Sequence, residues 1–201
     1  MLDRAVRRRI DPHLEKAAVA LRSWGLGADQ VTWLGFLLGL ASAAAIAGDW
    51  LMPALLLLFG NRLCDGLDGA LARLTRPTER GAYLDIVLDF LFYALFVFAF
   101  AVRDPVDALP AAFLVLSFVG TGTSFLAHAI FMAKRGVGDT PTARKGIAYI
   151  GGLTEGTETI LVFVVMLLVP NSFALLAWIF GALCWLTTGT RIATSLADLR
   201  R

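Results

Sequence analysis

The chain has 201 residues, 58% of them hydrophobic, and a mean hydropathy of +0.72. A soluble domain of this size could not keep that much apolar surface from water, and 17% charged residues is below the roughly 25% usual in globular proteins. A net charge of +2 is too slight to argue for nucleic acid, which leaves an integral membrane protein.

In chain order, Leu2, Val6, Ile10, Leu14, Ala17, Ala18 and Leu21 recur at helical spacing with arginines between them. Residues 1–28 therefore read as an amphipathic helix on an anionic membrane surface. They lack the short apolar run and small-residue cleavage site of a signal peptide. Asp29 is the expected N-cap of the first span. Residues 29–201 then carry six candidate spans: Val31–Gly48, Met52–Arg73, Ala82–Val102, Ala108–Ala133, Lys145–Val169 and Ser172–Ala197. Pro53, Pro110 and Pro170 fall near span ends, where a missing backbone donor does least harm. With no strand alternation and no repeat, the expected fold is an all-α polytopic bundle. Basic residues gather in the N-terminal arm, after spans two and four, and at Arg200 and Arg201, which predicts both termini on the cytoplasmic side of the cell membrane.

Chemistry concentrates in spans two and three. Asp65 and Asp68 are three residues apart on one helix face, and Asp85 and Asp89 four apart on another. A charge near the bilayer centre costs ~2.5–3.5 kcal/mol by insertion scales, so these groups need a reason to be there. Asp65 is eight residues before Arg73 and Asp89 eight after Gly81, which puts both about 12 Å from the helix ends. A short connection makes antiparallel neighbours of the two helices, so the four carboxylates are expected to converge at one level. Oxygen-only donors favour hard cations, and two Mg²⁺ or Mn²⁺ ions could clamp a pyrophosphate there. Arg73 offers an always-charged fork for phosphate, and Gly66, Gly69 and Ala72 leave room for a ligand or a second backbone. The structural alternative is that the carboxylates simply pair with Arg62, Arg73 and Arg191.

The run Asp65-x2-Asp68-Gly69-x2-Ala72-Arg73, then Gly81-x3-Asp85-x3-Asp89, resembles the signature of the CDP-alcohol phosphatidyltransferase family. An amphipathic N-terminal helix and six spans also match that family. One departure is the gap from arginine to glycine, seven residues (Leu74 to Arg80) where eight is usual. The resemblance implies that Asp65, Asp68, Asp85 and Asp89 hold two divalent ions and that Asp89 is also the general base. It implies that Gly69, Ala72 and Arg73 receive the CDP part of CDP-diacylglycerol or a similar CDP-alcohol, with Thr78 a weaker candidate. Asp29 and Thr32 resemble the segment that opens the family's first span beside the nucleotide, and they read equally as a plain helix cap. An alcohol acceptor, release of CMP, a place in phospholipid biosynthesis and a homodimer follow by the same resemblance.

The second half is less specific. Arg144 and Lys145, with Lys134 and Arg135, attract an anionic polyol-phosphate acceptor or simply set topology, the second being favoured. Glu155 and Glu158 either bind acceptor hydroxyls, with Arg191 a further acceptor candidate, or pair with Arg191 or His128 across the bundle. That segment resembles a branch of the family whose acceptor is undefined. His128 is expected to be a hydrogen-bonded interior residue, Cys64 and Cys184 buried fillers, and Trp178 and Trp185 lipid or packing contacts. Two rival functions are a cation carrier built on the carboxylates and a non-catalytic scaffold that keeps the fold.

Overall fold

The computed structural model describes residues 2–135, 154 and 156–199. These form seven α-helices: α1 Leu2–Ser23, α2 Ala28–Ala47, α3 Leu51–Leu74, α4 Glu79–Arg103, α5 Ala108–Lys134, α6 Gly156–Leu168 and α7 Phe173–Leu199. Short 3-10 turns at Pro105–Asp107 and Pro170–Ser172 lead into α5 and α7. Among the described residues there is no strand. By length and composition, α2, α4, α5 with its preceding turn, and α7 with its preceding turn can cross a membrane. The molecule is a multi-pass membrane bundle. Two of the six expected spans are not confirmed this way. α3 is long enough at 24 residues, but Arg62, Asp65, Asp68 and Arg73 interrupt its apolar run. Of the fifth span, only the 13 residues of α6 are described as helix. Leu34, Leu37, Leu56, Leu116, Val119 and Ile179 point outward around the bundle, as side chains that meet lipid rather than water do.

The core is aromatic. Phe96 stacks on Phe163 with centroids 4.0 Å apart, and Phe100 on Phe173 at 4.3 Å, which ties α4 to α6 and α7. α5 and α7 pack along their lengths through small residues: a Cβ at Gly181 would meet the Phe113 ring at 2.6 Å, and one at Gly120 would meet Thr188 Oγ1 at 3.1 Å. The order of these contacts makes α5 and α7 parallel. Arg135 donates to the carbonyls of Asp198 and Leu199, covering the C-terminal carbonyls of α7.

The N-terminal helix packs on the signature helix. Ala18 is fully buried against Val31, Cys64, Ala70 and Leu71, and Arg22 donates a 2.9 Å hydrogen bond to the carbonyl of Leu74. Gly25, at φ +81°, turns the chain out of α1, and Leu26 N donates back to Leu21 O. Gly66 belongs to this contact and not to a ligand, because a Cβ there would lie 2.8 Å from Leu14 Cδ1. The first span begins at Gly27, extended at φ −95° and ψ 160°, whose N–H donates to Gln30 Oε1 at 2.9 Å. Asp29 is therefore not the cap: it sits in the first turn, where a carboxylate suits the helix dipole.

α2 packs closely on both α3 and α4, whereas α3 and α4 hardly approach each other. The expected direct antiparallel pairing of the signature helices is thus replaced by a common partner. Gly35 lets α2 approach α3, its would-be Cβ being 2.9 Å from Cys64 Cβ, and Gly39 admits the Phe92 ring from α4 at 2.6 Å. Arg62 and four carboxylates fill the wedge that remains between α3 and α4, where desolvated like charges oppose close helix contact. At the opposite end Arg103 donates to Asp49 at 2.5 Å, closing α4 onto the α2–α3 turn.

Candidate active site

Asp65, Asp68, Asp85 and Asp89 line one cavity of about 20 Å³, together with Thr32, Asn61 and Arg62. The expected convergence of the four carboxylates is what the helices produce. Thr32 on α2 donates to Asp68 Oδ2 at 2.6 Å and to the carbonyl of Ala28 at 3.0 Å. Arg62 donates to Asp89 Oδ1 at 2.6 Å and stands 3.8 Å from Asp65 Oδ2. As the side chains stand, no three described His, Cys, Asp or Glu residues come together closely enough to hold a metal ion. The like charges are held by two partners, Asp65 and Asp89 at Arg62 and Asp68 at Thr32. The donor set itself fits a hard divalent cation: four carboxylates, with neither thiol nor imidazole lining the cavity.

A second cavity, about 610 Å³, shares Thr32, Asp68 and Asp85 with the first. It runs past Asp29, Gly69, Ala72, Arg73 and Thr78, so all six residues expected at the CDP portion line it. Its size falls within the usual 300–1,000 Å³ of small-ligand pockets. The missing side chains at Gly69 and Ala72 create this space on α3, and a Cβ at Gly69 would already stand 3.4 Å from Arg73 Nη1. Thr78 has a double position: it lines the cavity and caps α4, its Oγ1 accepting from Gly81 N at 3.0 Å. Gly81 closes the corner, since a Cβ would meet Thr78 Oγ1 at 3.2 Å and Asp29 Oδ1 at 3.3 Å. Asp29 pairs with Arg80 at 3.3 Å across the mouth. The seven-residue loop runs straight into this helix cap, and Arg76 and Arg80 also line the cavity.

The sequence reading missed these two arginines as part of the cavity. It also treated Arg62 as no more than an ion-pair partner and passed over Asn61 and Tyr93. The available signals were a guanidinium inside an apolar helix and an aromatic hydroxyl four residues after Asp89.

Of the residues expected around the acceptor, only Glu158 and Arg191 are among the described residues. Arg144, Lys145 and Glu155 lie outside the described residues. Arg191 donates to the carbonyl of Thr121 at 3.1 Å and lies over the Phe125 ring, between α5 and α7. Neither Arg191 nor Glu158 lines the two cavities, and Glu158 Oε2 is buried with no hydrogen-bond partner among the described residues. His128 is interior, as expected, and its Nδ1 has no hydrogen-bond partner among the described residues. Cys64 and Cys184 are buried free thiols. Trp178 packs on Phe113 at 4.5 Å and is part exposed, a packing and lipid contact.

Four carboxylates beside a cavity that presents Arg73, Arg76 and Arg80 suit chemistry on a phosphate-bearing substrate at a membrane. The chain matches CDP-alcohol phosphatidyltransferase over residues 26–190, and it belongs to that family. It is 47% identical over 201 residues, all of its own length and 98% of the other's, to Inner membrane protein YnjF of Escherichia coli. It is 28% identical over 189 residues, 93% of each chain, to archaetidylinositol phosphate synthase of Pyrococcus horikoshii. Its fold matches the crystal structure of the Mycobacterium tuberculosis phosphatidylinositol phosphate synthase with CDP-DAG bound. That match has a TM-score of 0.65 and 21% identity over 90% of this chain and 92% of that one. The protein is a membrane transferase of phospholipid biosynthesis.

Proposed function

We propose that the protein moves the phosphatidyl group of CDP-diacylglycerol, or a similar CDP-alcohol, onto a polyol phosphate and releases CMP. The observation that carries this reading is the continuity of the two cavities at Thr32, Asp68 and Asp85, which sets a nucleotide-sized space directly against the carboxylates. The names of the synthases above support a polyol phosphate acceptor.

In this reading Arg73, Arg76 and Arg80 offset the charge of the CDP pyrophosphate, and Gly69 and Ala72 admit it. Asp89 takes the proton of the acceptor hydroxyl, whose oxygen then attacks the lipid-side phosphorus. The bond from that phosphorus to the bridging oxygen breaks, and the departing oxygen carries its electron pair away on CMP. Thr32 holds Asp68 still, so that charge at the reacting phosphate meets an already ordered carboxylate. Asp65, Asp68, Asp85 and Asp89 would hold two Mg²⁺ or Mn²⁺ ions, which supply charge stabilisation of the phosphate oxygens. Residues 1–28 form the surface helix and 29–201 the transmembrane domain, with six spans, both termini and the site on the cytoplasmic side, in a homodimer.

The test is CMP release by purified protein in detergent, with CDP-diacylglycerol, Mg²⁺ or Mn²⁺, and separate acceptors: inositol phosphate, glycerol phosphate, inositol, serine and water. Release with inositol phosphate or glycerol phosphate, lost in Asp89→Asn, is the expected result. Release confined to inositol or serine would overturn the phosphorylated acceptor.

A further inference from the structure

Arg62 is held on several sides in the wedge between α3 and α4. Its Nη2 donates to Asp89 Oδ1 at 2.6 Å, its Nη1 to Tyr93 Oη at 3.4 Å, and its Nε to Asn61 Oδ1 at 2.7 Å. Asn61, itself buried, donates from Nδ2 to the carbonyl of Gly35 at 2.8 Å, which anchors the chain of bonds in the backbone of α2. The guanidinium also lies 5.0 Å from the Phe92 ring centroid and 5.5 Å from that of Tyr93. The fork is therefore fixed in plane by three hydrogen-bond partners and above by aromatic faces, leaving it one orientation. Phe92 in turn is held in the notch that Gly39 makes on α2.

We infer that Arg62 is a positioning residue for the reaction: it pins one oxygen of Asp89, so that proton abstraction falls to Oδ2. In the same place it is the built-in positive charge of the acidic cluster, 3.8 Å from Asp65. It does not line the cavity that takes the CDP portion. A lysine could keep the charge but not the fork, because an ammonium cannot hold Asn61, Tyr93 and Asp89 in one plane. The inference rests on the reading of Asp89 as the general base.

These positions make separable predictions for turnover, lipid binding and metal binding. Arg62→Gln should lower kcat by about 10–100-fold, the usual effect of losing a group that orients a ligand or base. KM for CDP-diacylglycerol should stay within about threefold, since uniform binding is untouched. Binding of Mn²⁺ alone, followed by electron paramagnetic resonance in detergent, should be as tight as in the wild type or tighter, because a positive charge has left the cluster. Arg62→Lys should bind Mn²⁺ like the wild type and still lose about tenfold in kcat. Size-exclusion profiles and thermal melts establish that each variant is folded, and if Arg62→Gln is not, the lysine variant carries the test. Wild-type kcat in either variant would overturn the inference. So would parallel loss of Mn²⁺ binding, lipid KM and kcat in a folded protein, which is the mark of a merely structural residue. Asp89→Asn separates the two readings. Activity retained there defeats the base assignment itself, whereas an inactive Asp89→Asn beside fully active Arg62 variants defeats only the role of Arg62.

Discussion

Thr32 Oγ1 lies 2.6 Å from Asp68 Oδ2, joining the first membrane helix to the signature helix at the point where the two cavities meet. The same hydroxyl is 3.0 Å from the carbonyl of Ala28, so its single proton serves two acceptors and the short contact to the carboxylate is the stronger. This one contact relates the nucleotide-sized space to the carboxylates. Thr32→Val keeps the shape and removes the donor. A hydrogen bond to a charged group contributes about 1.5–3 kcal/mol. Turnover of CDP-diacylglycerol should therefore fall roughly 10–100-fold in a protein that still folds but melts at a lower temperature, as steady-state CMP release and thermal melts will show.

Asp89→Asn preserves size and removes the base. General-base catalysis contributes about 10²–10⁴-fold, and CMP release should drop by that much. Treatment with a chelator should stop the wild-type reaction, and excess Mg²⁺ or Mn²⁺ should restore it. The restored rate identifies the preferred ion.

Gly69 tests the cavity. An added Cβ would stand 3.4 Å from Arg73 Nη1, an ordinary contact, so Gly69→Ala should be nearly silent. Gly69→Leu puts a branched side chain into the space that the CDP portion needs. Overpacking costs about 1–3 kcal/mol, which corresponds to a rise in KM for the CDP-lipid of roughly 5–150-fold, with kcat less affected.

Gly39→Ala should act on stability. Its Cβ would lie 2.6 Å from Phe92 Cδ2, and Phe92 is a fully buried ring with little freedom to give way. A loss of about 1–3 kcal/mol is expected, read as a lower melting temperature in detergent.

How much of this was legible in the sequence depends on what fixes each feature. Four of the six expected spans were, because long apolar runs with prolines at their ends admit little else. The four aspartates and Gly69, Ala72 and Arg73 were legible because helical spacing puts each group on one face without reference to any neighbour. The wedge between α3 and α4 was not. A short loop implies adjacency, and only the packing of α2 on both helices, through Gly35 and Gly39, reveals that they stay apart. Arg62 suffered the same way: as a charge in an apolar run it invites a partner, but the sequence does not name Asp89, 27 residues later, as that partner. The cap was expected two residues too late, at Asp29, because Gly27, having no side chain, gives no capping signal, and the cap comes from Gln30 reaching back.

The contact of Leu14 with Gly66 has a consequence for mutational scans of the signature. Gly66 stands between Asp65 and Asp68, so intolerance at this position would be credited to chemistry. The volume there is in fact shared with a residue 52 positions upstream, and what one side gains the other must give up. Scored one substitution at a time, position 66 will look more restricted than the chemistry requires, because any added side chain must turn Leu14 aside. Scored in a background where Leu14 is alanine, it should admit alanine or serine, and the boundary of the motif will be redrawn around the residues that face the phosphate.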